Sequence, residues 1–99
     1  MKKLAIGVDI GGINTAFGLV DENGDLYAES VISTKKYPYV DDYPAYVEDL
    51  CDSMRALAQS LSFEYELTGI GIGAPNANYH KGTIASFFIS CFRLKVSFI

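Results

Sequence analysis

Apolar residues form strand-like segments in the first third of the chain. The nearly continuous apolar segment Leu4–Ile10 is typical of a central strand covered on both faces. Thr15–Val20 and Leu26–Thr34 are the next two such segments, and Asn23–Gly24 between them favours a tight hairpin turn. The pattern therefore predicts that the chain begins with an antiparallel three-stranded meander.

The apolar period lengthens after a loop at Lys35–Tyr39 and becomes that of a helix. Asp41 or Asp42 can cap the free N–H groups at the helix start, and Pro44 fits the first turn. The apolar stripe comprises Tyr43, Tyr46, Val47, Leu50, Met54, Leu57, Ala58 and Leu61. We interpret this stripe as the face of one long helix that packs on the sheet.

Further strands are predicted after the helix. Leu67–Ile72 reads as a fourth strand, and its glycines indicate close approach of another backbone or a ligand. A loop at Ala74–Lys81 follows, and Gly82–Ile84 is predicted to begin a fifth strand. The order β-β-β-α-β-β favours an α/β fold, a mixed sheet with a helix on one face.

The composition changes abruptly after Ile84. Residues 85–99 hold four of the six phenylalanines and none of the glycines, prolines or acidic residues. One alternative is a hydrophobic terminal strand with Arg93 and Lys95 facing solvent. The other, which we favour, is out-of-frame sequence appended to a truncated gene. We therefore divide the chain into residues 1–84 and an atypical apolar tail, residues 85–99.

Charge and cysteine usage exclude several classes of protein. The formal net charge is −4, and the lysines and arginines form no cluster that could neutralise nucleic-acid phosphates. Cys51 and Cys91 are too few for a disulfide framework or a zinc site and are typical of reduced thiols. Neither a secretory signal nor a transmembrane segment is visible. We expect a cytoplasmic protein with no nucleic-acid or membrane partner, whose oligomeric state the sequence leaves open.

Two glycines directly follow an aspartate between the first two strands, in Asp9-Ile10-Gly11-Gly12-Ile13-Asn14. The missing side chains would let backbone N–H groups point at an anion. The Asn14 amide can donate to a phosphate oxygen, whereas Asp9 would act through Mg²⁺, directly or through water. A Gly-Gly hairpin turn without any ligand fits the same residues. The local motif leaves both interpretations open.

Two other nucleotide-binding motifs fit less well. The Walker sequence G-x-x-x-x-G-K-[ST] does not occur in the chain. Gly69–Ala74 formally matches the dinucleotide pattern G-x-G-x-x-[GA], but Pro75 and an Asn-rich loop follow where a helix has to begin. Neither motif is therefore predicted to work in this chain.

The order and spacing of these features resemble the ROK family (repressors, open reading frames, kinases), and most of all its glucokinase-type members. The resemblance covers residues 3–84 and implies the N-terminal lobe of an actin-like, ribonuclease-H-like ATPase fold, in truncated form. It implies ATP and Mg²⁺ as cofactors and a hexose, glucose in the first place, as the substrate of full-length members. The ATP-phosphate turn would comprise Asp9, Gly11, Gly12, Ile13 and Asn14, with Asp9 on the metal side. The loop near the hexose would comprise Gly73, Ala74 and Pro75.

The sequence departs from the family pattern in ways that affect activity. Ile13 stands where the family has Thr, and a lost hydrogen bond to a charged phosphate is worth about 1.5–3 kcal/mol. The family's catalytic Asn-Asp pair and its second lobe have no counterpart in the tail, and His80 is no substitute. No catalytic residue is therefore assigned, and we expect no hexose kinase activity from this chain alone.

Two other functions remain as alternatives. The first is a non-catalytic phosphate- or nucleotide-binding remnant. The second is a sugar-responsive ROK regulator, which carries a helix-turn-helix before the kinase-like lobe. The first strand of this chain begins at Leu4, so we do not expect that arrangement.

Overall fold

The computed structural model describes residues 1–73 and 81–98. Five strands form one sheet in the order β3-β2-β1-β4-β5. Two α-helices and a short 3-10 helix complete the described part of the chain. The elements are β1 Lys2–Ile10, β2 Asn14–Asp21, β3 Leu26–Ser33, the 3-10 helix Val40–Asp42, α1 Tyr43–Gln59, β4 Tyr65–Gly73, α2 Lys81–Phe92 and β5 Val96–Phe98.

The pairing of the strands confirms the predicted α/β fold with a mixed sheet. β1 pairs with β2 and β2 with β3 in antiparallel fashion, whereas β4 lies parallel to β1 and β5 parallel to β4. The hairpin between β2 and β3 is stabilised by the Asp21 carboxylate, which accepts from the backbone N–H of Asn23 at 2.9 Å and of Asp25 at 3.0 Å. Gly24 has a φ of 85°, a value that glycine adopts without strain.

One face of the sheet carries the hydrophobic core. Alternate residues of the strands point to this face and are buried against the helices, as the two-residue period of a strand requires. The strand members are Leu4, Ile6, Val8, Ile10, Phe17, Leu19, Ile70 and Ile72, and the helix members are Tyr46, Val47, Leu50, Cys51, Met54 and Phe88. In the described residues β1 is thus covered by helices on one face, whereas its apolar sequence predicts cover on both.

The start of α1 differs from the prediction in its capping contact. Asp42 occupies the N-cap position, yet its carboxylate makes no capping hydrogen bond. Asp42 Oδ2 instead accepts from the backbone N–H of Tyr39 at 3.1 Å, within the loop that precedes the helix. The predicted start of the helix is confirmed to within a residue or two, but the predicted cap is wrong because that carboxylate closes a turn instead.

The strand predicted from Gly82 is wrong, because these residues belong to α2. β4 and β5 are parallel, and parallel neighbours need a crossover connection, which a helix commonly supplies. Phe88, Cys91 and Phe92 follow one another at helical spacing, and all three contact the core. The next strand, β5, comes later, at Val96–Phe98.

The apolar tail takes part in this fold. α2 runs through the compositional break after Ile84, and Phe88 is fully buried. β4 and the tail approach closely at Gly69, where a Cβ would lie 3.2 Å from the carbonyl oxygen of Lys95. This contact confirms at Gly69 the close backbone approach predicted for the glycines of β4. The out-of-frame origin of residues 85–99 stays a prediction.

None of the helices in the described residues is long and apolar enough to cross a bilayer.

Candidate phosphate-binding site

The residues predicted to bind phosphate lie at one edge of the sheet. β1 and β4 are parallel, so their carboxyl ends meet there, and Asp9 pairs in register with Gly73. The glycine turn follows β1 directly and returns the chain into β2 at Asn14. The carboxyl edge of parallel strands is where α/β sheets bind ligands. Of the predicted sugar-loop residues, Gly73 lies beside Asp9, whereas Ala74 and Pro75 lie outside the described residues.

The first glycine of the turn is required by a close contact. The Gly11 N–H donates to the carbonyl oxygen of Asn14 at 3.0 Å and closes the turn. A Cβ on Gly11 would lie 2.9 Å from that same oxygen, so any larger residue would force the turn to open. Gly12 is different, because a Cβ there would meet no atom within 4 Å. The Gly12 backbone is thus exposed to approach from solvent.

The turn is attached to the end of β3 through Ile13. Its carbonyl oxygen accepts from the N–H groups of Thr34 at 2.8 Å and Lys35 at 3.1 Å. The Ile13 side chain is 68% exposed. An apolar side chain therefore stands at the outer surface of the turn, and no hydroxyl is available at that position.

A buried cluster of hydroxyl groups lies behind the turn. Thr15 Oγ1 is 2.6 Å from Thr34 Oγ1 and 2.6 Å from the Tyr46 hydroxyl oxygen, and all three residues are buried. We call Thr15, Thr34 and Tyr46 the hydroxyl cluster. It joins β2, the segment after β3 and α1 close to the turn. The cluster was not predicted from the sequence, although Thr15 is in phase with the buried Phe17 and Leu19 of β2, and Tyr46 belongs to the apolar stripe.

A second contact ties the segment after β3 to α1. The Tyr37 hydroxyl donates to Asp49 Oδ2 at 2.9 Å, and its ring centroid lies 5.6 Å from that of Tyr46. The hydrogen bond to Asp49, together with burial, raises the pKa of Tyr37 above its ordinary value. The segment that holds Ile13 is thereby fastened to the helix on both sides of Lys35.

Asp9 offers a single exposed carboxylate beside the glycine turn. Its side chain is exposed on the face of the sheet opposite the helices, and no ion pair to it is found in the described part of the chain. Residues 1–73 and 81–98 contain no cluster of three or more potential metal ligands. Mg²⁺ commonly binds one or two carboxylates and completes its shell with water and substrate phosphates. A single exposed carboxylate beside an open glycine turn fits that mode and does not fit a metal cage made of protein alone.

A shallow groove extends from Asp9 along the same face of the sheet. Its volume is about 360 Å³, and small residues make up much of its lining: Gly7, Ala16, Gly18, Gly71 and Gly73. Glu29 and Asp9 supply its charged groups. The glycines of this lining let a ligand or another segment approach the strand backbones, beside the larger side chains of Val20 and Leu26.

Comparison with known proteins identifies relatives of this arrangement. No family model matches the chain. The glucokinase of Streptomyces coelicolor is 34% identical over 82 residues, which are 82% of this chain and 23% of that protein. The chain therefore spans about a quarter of the length of the curated relative it matches.

Solved structures give the same result at the level of the fold. A ROK-family glucokinase from Streptomyces griseus, in complex with glucose and AMPPNP, superposes with a TM-score of 0.62 at 26% identity and covers 94% of this chain and 31% of its own. A ROK-family transcriptional regulator, a homologue of the E. coli MLC protein, superposes with a TM-score of 0.74 at 12% identity, over 99% of this chain and 28% of its own. The second likeness shows the fold alone.

Proposed function

We propose, on the premise that this chain is part of a ROK-family sugar kinase, that residues 9–14 are the phosphate-binding turn of an ATP site. The observation that carries the proposal is the turn itself. Gly11 is confined by its contact with Asn14, Gly12 is open to approach, and Asp9 stands beside them at the carboxyl edge of β1. The AMPPNP bound to the Streptomyces griseus glucokinase supports a nucleotide as the ligand.

Each residue has a distinct role in the proposed site. The backbone N–H of Gly12 and the side-chain amide of Asn14 donate to phosphate oxygens. Asp9 holds Mg²⁺, either directly or through water, and the bound ion would neutralise phosphate charge. Ile13 contributes its backbone only, so this turn lacks a hydrogen bond that the Thr of the family pattern would provide.

The sugar would lie on the β4 side of the same edge. Gly73 is the last residue of β4, and with Ala74 and Pro75, the next two residues in the sequence, it makes up the proposed hexose loop. The glucose in the Streptomyces griseus enzyme supports a hexose as substrate. In the whole protein the reaction would be in-line transfer of the γ-phosphoryl group to a sugar hydroxyl, which depends mainly on positioning and charge neutralisation. We place the protein in the cytoplasm, as expected for sugar phosphorylation.

Calorimetric titration with ATP tests the proposed site. We expect heat of binding in the presence of Mg²⁺ and a strong reduction when Mg²⁺ is removed or when Asp9→Asn is introduced. Asp25→Asn, an exposed carboxylate change in the distant β2–β3 hairpin, is the matched control and should bind like the wild type. Binding that is equally strong without Mg²⁺ and in Asp9→Asn would refute the role of Asp9.

A gain of affinity provides a second test of the same turn. Ile13→Thr restores the hydroxyl of the family pattern, and a hydrogen bond to a charged phosphate is worth about 1.5–3 kcal/mol. The dissociation constant for Mg·ATP should therefore fall about ten- to a hundred-fold. Ile13→Val, which shortens the side chain without adding a hydroxyl, should leave the constant unchanged.

The alternative is a nucleotide-binding remnant or a regulator without kinase activity, and the fold shared with the ROK regulator favours retaining it as a second candidate. A coupled assay of hexose phosphorylation separates the two. We expect the 99 residues to bind Mg·ATP without turning over glucose. Clear turnover would show that this chain supplies a catalytic base of its own and would overturn that expectation.

A further inference from the structure

Two cysteines that lie far apart in sequence border the same groove between the two helices. Cys51 lies on α1 and Cys91 on α2, and both line a groove of about 410 Å³ whose walls also include Arg55 and Ser90. Both thiols are free. Their spacing in the chain does not suggest a pair, and the proposed nucleotide site does not use them.

A guanidinium group holds the helices together beside the thiols. Arg55 donates from Nη2 to the carbonyl oxygen of Cys91 at 2.9 Å, and its guanidinium lies 5.9 Å from the ring centroid of Phe92. Residues four apart lie on the same face of a helix, so Cys51 and Arg55 face α2 together. The face of α1 that carries Cys51 is therefore the face that meets Cys91.

The two thiols differ in accessibility, and the less accessible one, Cys51, has a raised pKa. The Cys51 residue is only 6% exposed, whereas Cys91 is half-buried. Burial, followed by a hydrogen bond to Cys91, raises the pKa of the Cys51 thiol to about 12. The thiolate is the reactive form of cysteine, and Cys51 is both buried and slow to form it. The more accessible Cys91 should therefore react first with a reagent from solvent. Cys51 is then placed to react with whatever forms on Cys91.

We propose that Cys51 and Cys91 are an oxidisable thiol pair that closes to an intramolecular disulfide joining α1 to α2. The oxidant is a low-molecular-weight disulfide, for which oxidised glutathione is the probe. The Cys91 thiolate attacks one glutathione sulfur, a mixed disulfide forms, and one glutathione leaves as thiolate and takes a proton. Cys51 then loses its proton to solvent and attacks the Cys91 sulfur, and the second glutathione leaves in the same way. Two protein thiols are oxidised, and one glutathione disulfide is reduced to two thiols.

Mass spectrometry of the intact full chain tests the pair. Reduced protein incubated with oxidised glutathione should lose the mass of two hydrogens and remain monomeric on a non-reducing gel. The reaction should be faster in the folded chain than in guanidinium chloride, because the fold brings the thiols together. Accumulation of a stable mixed disulfide, a disulfide-linked dimer, or closure no faster than in denaturant would each overturn the proposal.

Single substitutions assign the order of the two steps. Cys51→Ser should stop at one added glutathione, because no second thiol remains to displace the glutathione from Cys91. Cys91→Ser should gain glutathione much more slowly, because the remaining thiol is buried. Equal rates of glutathione addition to the two variants would refute the proposed order, in which Cys91 reacts before Cys51. Far-UV circular dichroism of both variants checks that they are folded, so that the two rates of glutathione addition can be compared.

Discussion

The two faces of the sheet differ in what they carry and in what covers them. The face under α1 and α2 is built from large aliphatic and aromatic side chains that exclude water. The opposite face presents small residues along a groove, together with Asp9 at its carboxyl edge. The same strands supply both faces, because alternate residues of a strand point to opposite sides. The covered face thus accounts for stability, and the open face leaves the backbone accessible beside the glycine turn.

The largest expected effect comes from the covered face. Ile6→Ala removes a side chain that is 1% exposed, and such a deletion typically costs about 2–5 kcal/mol because a cavity remains. Val31→Ala is the matched change at an exposed strand position and should cost less than about 0.5 kcal/mol. Urea unfolding of the two variants measures the difference. Equal losses would mean that burial does not distinguish these positions.

The hydroxyl cluster is expected to give the next largest effect. Thr15→Val keeps the shape of the side chain but removes the oxygen shared with Thr34 and Tyr46, and loss of buried hydrogen bonding costs about 1–3 kcal/mol. Thr15→Ser keeps the hydroxyl and should retain most of the stability. Both free energies of unfolding come from the same urea titrations, and a Thr15→Val variant as stable as the wild type would contradict the role of the cluster.

The glycine turn permits a comparison between neighbours. Gly11→Ala places a Cβ 2.9 Å from the Asn14 oxygen and should break the hydrogen bond that closes the turn, at a cost of about 0.5–1.5 kcal/mol. Gly12→Ala meets no atom within 4 Å and should leave the free energy of unfolding nearly unchanged. Thermal unfolding of both variants checks this order, and a larger loss for Gly12→Ala would show that the turn is held differently.

The smallest effect concerns acid stability at the far end of the β2–β3 hairpin. Burial favours the neutral form of Asp21, but hydrogen bonds from Asp25, Tyr27 and Asn23 outweigh it and lower the pKa of this carboxyl below 3.8. A pKa lowered by folding adds stability that is present above pH 3.8 and is lost as the pH falls through the folded value. Asp21→Asn should therefore flatten the loss of stability in acid. Urea midpoints measured across the acid range check this, with Asp25→Asn as the control that should behave like the wild type. If Asp21→Asn also behaves like the wild type, the assignment of this acid dependence to Asp21 is wrong.

Much of the fold follows from local sequence. The parts that could not be predicted share one cause, which is that they depend on tertiary contacts. The alternation in β1 to β3, the Asn23–Gly24 turn and the stripe of α1 each reflect a preference of neighbouring residues. The helix at Lys81–Phe92 is not predicted, because β-branched Thr83 and Ile84 favour a strand locally. The parallel strands β4 and β5 need a crossover connection between them, and this helix supplies it. Tertiary context decided that segment.

The candidate site divides in the same way. The motif places Asp9 and the two glycines beside each other in sequence, so their proximity is predictable. The hydroxyl cluster and the thiol pair join residues from separate elements, and a single sequence does not show which elements meet. The one-sided cover of β1 was missed for the same reason, since its apolar composition cannot tell whether one face or two are packed by helices.

The most direct test of the proposed site is to follow backbone amide resonances during titration with Mg·ATP. We predict that the amide signals of Gly11, Gly12, Ile13 and Asn14 shift progressively and saturate, whereas those around the α1–α2 groove stay in place. Shifts confined to the α1–α2 groove, or no saturable shift in the turn, would contradict the assignment of residues 9–14 as a phosphate-binding turn.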